Sequence, residues 1–268
     1  MKIGVLGAGG RMGQLIAAEI MAANGLTLSA LGVRDGDARI GETAEAAFDL
    51  TGSTAPVTGD SAGVFAVSDA VIDFTLPEAT TAHLELAVTH KTALVIGTTG
   101  LDADTEAAIT AAAAEVPVIL AANTSLGVNL LLDTVRRVAG SLDARTADIE
   151  IVEMHHSAKV DAPSGTALAL GHAAAAGRGK ALADIQRLSR EGHTGARPEG
   201  EIGFATLRGG DVVGEHTVIF AMAGERIEIT HRCTDRKIFA RGAVRAAEWL
   251  ARQQAGRYSM GDVLGLSD

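Results

Sequence analysis

The residues whose types and spacing suit catalysis are concentrated between positions 153 and 166. This segment contains two adjacent histidines, His155 and His156, followed by Lys159 and by a Pro-Ser-Gly-Thr sequence typical of a helix start. Lysine is scarce in this chain, with five residues against eighteen arginines, so a lysine beside two histidines stands out. A histidine can donate a proton near neutral pH, and an ammonium group can stabilise developing negative charge. The segment therefore suits acid–base chemistry on an anionic substrate.

The helix start in this segment suits recognition of a carboxylate. The N–H groups of Gly165 and Thr166, directly after Ser164, lie where a helix N-terminus can receive an anion. Adjacent histidines on a strand point to opposite sides of it, so we predict no metal site here. A surface histidine pair and an ordinary capped helix are the alternative for any single residue, but they do not explain the whole set.

A second candidate site lies at residues 7–13, Gly-Ala-Gly-Gly-Arg-Met-Gly, between an apolar strand and an amphipathic helix. The glycines permit a tight turn, and the helix N-terminus offers N–H groups and partial positive charge to a pyrophosphate. The spacing departs from the usual G-x-G-x-x-G pattern, because Met12 stands at the third glycine position and Gly13 follows it. A purely structural turn is the alternative. The position directly after the first strand favours dinucleotide binding.

The end of the second predicted strand should carry the group that recognises the adenosine ribose. An acidic residue there holds the 2′-hydroxyl of NAD, whereas an arginine accommodates the 2′-phosphate of NADP. Here Arg34 follows Val33, and Asp35 comes next. The arrangement favours NADPH, or use of both cofactors, over strict use of NAD, with a solvated arginine as an equal alternative. Residues 97–100, Gly-Thr-Thr-Gly, form either a second cofactor turn or a plain turn, since glycine lets backbone groups approach a ligand closely.

A parallel sheet is needed to bring these turns together. The first half of the chain alternates short apolar runs with longer amphipathic ones, which is typical of such a sheet flanked by helices. Ligands of open parallel sheets bind beyond the carboxyl ends of the strands, where the candidate turns lie. We predict strands at residues 2–6, 26–33, 70–74, 93–96 and 118–121, and helices at residues 12–21, 80–90 and 103–115.

The pattern changes after residue 127 and predicts a second domain. Residues 148–154 alternate apolar and acidic side chains, as a half-buried strand does. We predict helices at 128–139, 164–176 and 239–251, and further strands at 212–221 and 226–231. The expected fold class is α/β, with a Rossmann-like doubly wound parallel sheet and a second α+β domain that contains a mixed or antiparallel sheet.

Composition narrows the possible partners and location. The chain has 268 residues, of which 47% are hydrophobic, and a formal net charge of -10. This charge argues against binding to nucleic acid or to an anionic membrane surface, because both require clustered positive charge. No apolar run approaches a membrane span, and the N-terminus lacks a signal-peptide pattern. The single cysteine, Cys233, excludes a disulfide framework and a thiolate zinc site, so we expect a cytoplasmic protein.

Taken together, the motifs resemble the 4-hydroxy-tetrahydrodipicolinate reductase family, whose members are also called dihydrodipicolinate reductases. The resemblance extends from about residue 2 to about residue 264, and the block from His155 to Thr166 is its most specific part. The matching segments are residues 7–13, 71–75, 97–100, 153–166, 189–195 and 213–217. The resemblance implies a reductase of the diaminopimelate and lysine pathway that transfers a hydride from NADH or NADPH to a cyclic, dicarboxylated substrate.

The resemblance also implies roles for particular residues. His155 would donate or accept the proton, with Lys159 as its partner. The residues implied to bind substrate are His156, Ser164, Gly165 and Thr166. Those implied to contact the cofactor are Gly7, Ala8, Gly9, Gly10, Arg11, Met12, Arg34, Gly97, Thr98, Thr99, Ala121, Ala122, Asn123 and Thr124. A homotetramer built through the second domain is implied, with residues 1–126 and 236–268 binding the dinucleotide and residues 127–235 serving substrate binding and oligomerisation.

Two residues at the predicted cofactor site depart from the family pattern, and two other functions are alternatives to a reductase. Val33 replaces an acidic residue of some relatives, which weakens the case for tight NADH binding, and Thr124 replaces an aromatic residue. A different Rossmann oxidoreductase acting on a small amino-acid precursor, such as a homoserine or semialdehyde dehydrogenase, would need its own substrate-binding residues in place of the block from His155 to Thr166. A semialdehyde dehydrogenase would also need a cysteine nucleophile. Cys233 has no histidine arranged around it in sequence and is interpreted as a core residue. A nucleotide-binding protein without catalysis is the other alternative.

Overall fold

The computed structural model describes residues 1–266. The described chain forms two compact units, of which the first comprises Met1–Leu126 and residues 237–266, and the second comprises Gly127–Arg236. The strands are β1 (Lys2–Leu6), β2 (Thr27–Gly32), β3 (Val57–Thr58), β4 (Ala70–Asp73), β5 (Ala93–Ile96), β6 (Pro117–Leu120), β7 (Asp148–His155), β8 (Gln186–Arg187), β9 (Ile202–Arg208), β10 (Gly214–Met222), β11 (Glu225–Cys233) and β12 (Gly256–Tyr258).

The helices complete the two units. They are α1 (Arg11–Ala22), α2 (Ala44–Phe48), α3 (Ser61–Ala66), α4 (Pro77–His90), α5 (Ala103–Ala112), α6 (Leu126–Ser141), α7 (Gly165–Gly177), α8 (Leu182–Ile185), α9 (Lys237–Leu250) and α10 (Met260–Leu264). In residues 1–266, no helix combines the length and apolar character needed to cross a bilayer.

The first unit is built on a seven-stranded sheet with the order β12-β6-β5-β4-β1-β2-β3, in which every strand pair is parallel. All residues of β4 and β5 are buried, as expected where helices cover both faces of a parallel sheet. Helices α1 and α9 pack on one face, and α3, α4 and α5 pack on the other. Because β1 pairs with β2 on one side and β4 on the other, the strand order reverses beside β1. Ligands bind at such a reversal.

The second unit contains a five-stranded sheet with the order β11-β10-β7-β9-β8. The β10 pairings with β7 and β11 are antiparallel, whereas β9 pairs in parallel with β7 and β8, so the sheet is mixed. Apolar residues of α6 and α7 cover one face. Along β7, Ile149 and Ile151 point into that core, and by strand alternation Glu153 and His155 lie on the same face. The core face of the sheet thus continues into a cluster of charged side chains.

The predicted fold class is confirmed, and the predicted elements are present with ends that differ by a few residues. The short elements α2, β3, α3, α8, β8, α10 and β12 were not predicted, and neither was β9. The omission of β9 matters most, because this strand places Arg208 beside the end of β7. Its sequence contains Gly203 and Ala205, which weaken a strand pattern.

Candidate active site

The glycine-rich turn after β1 is tied to β2 by backbone hydrogen bonds. The N–H groups of Gly7 and Ala8 both donate to the carbonyl of Gly32, each at 3.0 Å. Gly7 has a φ of 81°, a conformation that favours glycine. A Cβ atom at Gly13 would overlap the Gly7 carbonyl, so glycine at this position lets α1 pack directly against the turn. This contact gives the shifted third glycine a physical reason.

The N-terminus of α1 is available to an anion. Its N-cap residue is Gly10, and in the described part of the chain no side chain caps this end and no acidic residue occupies its first turn. The first N–H groups of a helix lack intrahelical acceptors and carry the positive end of the helix dipole. The turn and helix start therefore form a cradle suited to phosphate groups.

A cavity of about 630 Å³ opens at the carboxyl ends of β1, β2 and β4. Its lining includes the predicted residues Gly7, Gly9, Gly10 and Arg34. It also includes Arg39, which was not predicted from the sequence. Of the predicted cofactor residues, Ala8, Arg11, Met12, Gly97, Thr98, Thr99, Ala121, Ala122, Asn123 and Thr124 lie outside this lining.

Arg39 forms an ion pair with Asp37 at the edge of the cavity. Its Nε donates to Asp37 Oδ1 at 2.8 Å and its Nη2 donates to Oδ2 at 2.6 Å. Hydrogen bonding from Arg39 lowers the pKa of Asp37 to about 2. The guanidinium also lies 4.6 Å from the centre of the Phe48 ring, which holds it in place. This leaves the exposed Arg34 as the cavity cation most accessible to a ligand.

A buried carboxylate orders the turn that follows β4. Asp73 is fully buried and accepts hydrogen bonds from the N–H and Oγ1 of Thr75, at 2.9 and 2.6 Å. Its second oxygen lies 2.7 Å from Nδ1 of His83, whose Nε2 is 3.3 Å from Ser61 Oγ. The side chains of Thr75, His83 and Ser61 all belong to residues that line the cavity. The network therefore gives the cavity a defined polar wall.

The other two predicted cofactor turns follow β5 and β6, the next two strands after β4 in the sheet order. A Cβ atom at Gly97 would overlap the Phe74 ring, and Thr98 Oγ1 donates to the Thr75 carbonyl at 3.2 Å. Thr99 is exposed. In the turn after β6, Thr124 is buried and donates through Oγ1 to the carbonyl of Phe239 at 2.7 Å. The Thr124 side chain thus holds the start of α9, and the cofactor roles of these residues stay predictions.

The charged cluster at the end of β7 is centred on Glu153, which is 1% exposed. Arg208 donates to both of its oxygens, at 2.8 Å from Nη1 and 3.0 Å from Nη2. His155 Nδ1 lies 2.6 Å from Glu153 Oε2, and the N–H of Ser164 donates to Oε1 at 3.0 Å. Burial acts to raise the pKa of Glu153, but hydrogen bonds from Arg208 and His155 outweigh it and lower that pKa. The carboxylate is therefore ionised and accepts the Nδ1–H of His155.

His216 of β10 lies next to this cluster, opposite Glu153 in the strand register. Its ring packs edge-on against the His155 ring, with centroids 5.1 Å apart and planes at 73°. Its Nε2 is 3.1 Å from Ser164 Oγ. Burial, followed by the charge of His155, lowers the pKa of His216 to about 4. His216 is therefore a neutral imidazole at physiological pH.

The loop that joins β7 to α7 carries the remaining predicted residues. Lys159 Nζ donates to Asp161 at 2.7 and 2.9 Å, and the Asp161 carbonyl accepts from Arg208 Nη2 at 2.6 Å. His156 is half-buried and lies one residue beyond β7, so strand alternation does not decide its direction. Gly165 is exposed, with open space around its Cα. The charge of Lys159 contributes to lowering the His216 pKa, which places the lysine in the same electrostatic environment.

The structure thus brings His155, Ser164 and the α7 start together with residues to which sequence reasoning assigned no role. These are Glu153, Arg208, His216 and Gly214. Glycine at position 214 leaves room for the His155 ring, because a Cβ atom there would lie 3.0 Å from His155 Nε2. His216 lies in residues 213–217, one of the segments that resemble the family, so the sequence did contain a signal for it. Within residues 1–266, no group of three or more histidine, cysteine and acidic residues has a metal-binding arrangement.

Comparison with known protein families covers both units. A model described as dihydrodipicolinate reductase, N-terminus, matches residues 1–124, and one described as dihydrodipicolinate reductase, C-terminus, matches residues 127–264. The chain belongs to the dihydrodipicolinate reductase family. The resemblance inferred from the sequence is confirmed.

Individual members of the family match over almost their full length. A 4-hydroxy-tetrahydrodipicolinate reductase of Rhodopseudomonas palustris is 51% identical over 268 residues, covering 100% of this chain and 98% of the relative. One of Rhizobium rhizogenes is 49% identical over 267 residues, covering 100% and 97%. The solved dipicolinate-bound dihydrodipicolinate reductase of Paenisporosarcina sp. TG-14 has a TM-score of 0.78 at 23% identity, with 97% of each chain covered, and shares the fold.

Proposed function

We propose that this protein reduces 4-hydroxy-tetrahydrodipicolinate to tetrahydrodipicolinate in diaminopimelate and lysine biosynthesis, with NADPH or NADH as the reductant. The observation that carries the proposal is the buried Glu153–His155 pair, which lies beside the N-terminus of α7 in a chain whose two halves both match the family. In the overall reaction the substrate takes up a hydride and a proton and releases its 4-hydroxyl group as water.

The cavity at the sheet reversal fits a dinucleotide. Its glycine turn contains positions at which a Cβ atom would fill or distort the cradle, and the α1 N-terminus is open to anions. When bound, NAD(P)H supplies the hydride. We assign the pyrophosphate to residues 7–12, the adenosine ribose end to Arg34, and further contacts to residues 97–99 and 121–124. Arg39 lines the same cavity, but its charge is paired with Asp37, so recognition of a 2′-phosphate is assigned to Arg34.

The second unit is proposed to bind the dicarboxylate substrate. The start of α7 has no acidic residue in its first turn, and Gly165 is exposed there, so an anion can approach its N–H groups. We assign one carboxylate to Ser164, Gly165 and Thr166. Lys159 and His156, on the adjoining loop, are assigned to the other anionic groups of the substrate. Asp161 holds the Lys159 ammonium in position until a substrate carboxylate competes for it.

His155 is proposed to supply the proton. Glu153 accepts the Nδ1–H, so Nε2 is the ring nitrogen left to exchange a proton with the substrate. The carboxylate also stabilises the positively charged form of the ring, while Arg208 keeps that carboxylate ionised. Lys159 stabilises negative charge that develops on the substrate as the hydride arrives.

We also propose that the protein is a cytoplasmic homotetramer. The face of the second sheet opposite α6 and α7 carries partly exposed apolar side chains, which include Val152, Met154, Leu207 and Ile219. An apolar sheet face of this kind suits association with identical copies. Size-exclusion chromatography with light scattering should give four times the chain mass. The free thiol of Cys233, the single cysteine of the chain, suits a reducing compartment.

The direct test is oxidation of NADPH and of NADH with freshly generated 4-hydroxy-tetrahydrodipicolinate, followed by absorbance of the reduced nicotinamide. Turnover should depend on this substrate and be absent with aspartate semialdehyde or homoserine. Activity with either of those compounds would instead support another Rossmann oxidoreductase. Cofactor binding without turnover on any of the three would support a nucleotide-binding protein that lacks catalysis.

A further inference from the structure

The hydroxyl group of Ser164 has two neighbours that define its hydrogen bonding. As the N-cap residue of α7, it accepts the N–H of Ala167 through Oγ at 3.2 Å. Its Oγ also lies 3.1 Å from Nε2 of His216. A serine hydroxyl has two acceptor lone pairs and one proton to donate. The direction of the His216 contact therefore decides whether that proton is used within the protein.

The surroundings of His216 decide the direction. Its Nδ1 is buried and, in the part of the chain that the structure describes, has no hydrogen-bond partner. If Nε2 accepted from Ser164, the single ring proton would be on Nδ1 and would be a buried donor without an acceptor. A buried unpaired N–H is costly and rarer in proteins than an unpaired acceptor. The low pKa of His216, about 4, excludes a second ring proton at neutral pH.

We infer that His216 donates its Nε2–H to Ser164 Oγ and thereby fixes the Ser164 hydroxyl as a donor to a substrate carboxylate. Both acceptor positions of Oγ are then occupied, one by Ala167 N–H and one by His216. The hydroxyl proton has to point elsewhere. Ser164 is 2% exposed and directly precedes the exposed Gly165, so the start of α7 is where a ligand would approach the hydroxyl. This inference rests on the proposed function for the identity of the substrate.

His216 is a positioning residue in this arrangement, because it acts through Ser164. It contacts His155 as well, with ring centroids 5.1 Å apart. A neutral ring at this place adds no positive charge beside His155. In residues 1–266 the carboxylate hydrogen-bonded to His155 is that of Glu153, and the contact between the two histidine rings is edge to face. The histidine thus orders the carboxylate-binding end of the site without competing for the catalytic proton.

The first test determines the tautomer of His216 in the unaltered protein. Nitrogen-15 NMR of histidine-labelled protein distinguishes a protonated Nε2 from a protonated Nδ1, and the His216 signals are identified by their loss in His216→Gln. We expect a neutral ring protonated at Nε2. A ring protonated at Nδ1 would overturn the inference, whether or not the protein turns over the proposed substrate.

The second test is a double-mutant cycle with Ser164→Ala and His216→Leu. Loss of one hydrogen bond to a charged group should lower kcat/KM for the substrate about 10- to 100-fold in Ser164→Ala. His216→Leu should lower it about 10-fold, and the double variant should be no worse than Ser164→Ala, because both changes remove the same donor. The KM for NADPH should stay unchanged throughout. Effects that multiply in the double variant would contradict the inference.

Two further variants separate positioning from general damage to the sheet. His216→Gln keeps an N–H donor near the position of Nε2 and should restore most of the activity lost in His216→Leu. His231→Leu removes a half-buried histidine at the paired position on β11, and we expect wild-type kinetics from it. Equal losses in His216→Gln and His216→Leu, or in His231→Leu and His216→Leu, would contradict the inference. Thermal melts confirm that each variant is folded.

Affinity for pyridine-2,6-dicarboxylate, measured by calorimetry, separates failure of this inference from failure of the proposed function. This dicarboxylate tests recognition at Ser164 without requiring turnover. If the protein binds it and the cycle shows the expected non-additivity, but the proposed substrate is not reduced, the proposed function fails while the role of His216 stands. If the proposed substrate is reduced normally, but the effects of Ser164→Ala and His216→Leu on the affinity are additive in the double variant, the proposed function stands and the role of His216 fails.

Discussion

Glu153 and Arg208 form a two-point ion pair across the parallel strands β7 and β9, with distances of 2.8 and 3.0 Å. The same carboxylate accepts the His155 Nδ1–H at 2.6 Å. One buried acid therefore connects the proposed proton donor to a fixed cation. Because its partners hold both oxygens, it keeps a single orientation of the imidazole, which is the property a proton donor requires.

Replacing Glu153 by glutamine should reduce turnover. The amide cannot stabilise a positively charged His155, and Arg208 loses its ionised partner, so we expect kcat to fall about 100-fold with little change in substrate KM. Steady-state kinetics measure both constants. The matched control is Glu150→Gln, on the same strand, whose carboxylate is also held by two arginines, Arg190 and Arg197. A kcat near the wild-type value in Glu153→Gln would show that this carboxylate does not support the reaction.

Replacing Lys159 by alanine should lower kcat by about 100-fold or more, because the ammonium group that stabilises developing charge is removed. NADPH affinity, measured by fluorescence titration, should be unchanged. Lys180→Ala, which removes another lysine of the second unit, provides the control and should leave both quantities unchanged. Near-normal turnover in Lys159→Ala would reject the assigned role.

Replacing Arg34 by alanine should distinguish the two cofactors. We expect KM for NADPH to rise about 10-fold and KM for NADH to stay the same, because only NADPH carries the 2′-phosphate that the guanidinium would meet. Arg241→Ala, which removes an exposed arginine paired with Glu19, serves as the charge-matched control. If neither KM changes in Arg34→Ala, this arginine does not recognise the phosphate.

Replacing Gly242 by alanine should destabilise the first unit. The added Cβ atom would overlap the backbone carbonyl of Thr124, a residue whose side chain is hydrogen-bonded to the start of α9. We expect a loss of about 1–3 kcal/mol in the free energy of unfolding, the usual range for overpacking. Gly63→Ala is the control, since its Cβ would meet only the movable carboxylate of Asp60. Equal unfolding midpoints in urea for the two variants would contradict the expected clash.

The free energy of unfolding should fall as the solution becomes acidic, in part because of His216. Its pKa is lowered from 6.5 in the unfolded chain to about 4 in the folded protein, so the unfolded state takes up this proton first. The free energy of unfolding therefore has its full value above about pH 6.5, and it falls by roughly 3 kcal/mol as the pH decreases towards about 4. The charged or titratable groups that act on this ring are His155, Glu153, His231 and Lys159.

Urea unfolding at about pH 7 and about pH 4.5 measures this loss. In His216→Gln the decrease between the two values should be smaller, because glutamine does not titrate. The exposed His172 provides the control, and His172→Gln should retain the wild-type decrease. An unchanged decrease in His216→Gln would show that this histidine does not have a lowered pKa in the folded protein.

The amino-acid sequence by itself was sufficient for the features that depend on neighbouring residues. The glycine turn at residues 7–13, the burial of the β4 and β5 runs, and the helix start at Ser164 follow from local conformational preference and hydrophobic pattern, and each is present. The block from His155 to Thr166 also identified the family. These features can be predicted from the sequence because the residues that interact are close together in the chain.

Only the tertiary structure decided which distant side chains complete the site. Arg208 reaches Glu153 because β9 pairs in parallel with β7, and His216 reaches Ser164 because β10 lies on the other side of β7. These partners are separated by 55 and 52 residues. Strand register and close packing set these contacts, and neither is determined by the local pattern of the residues involved.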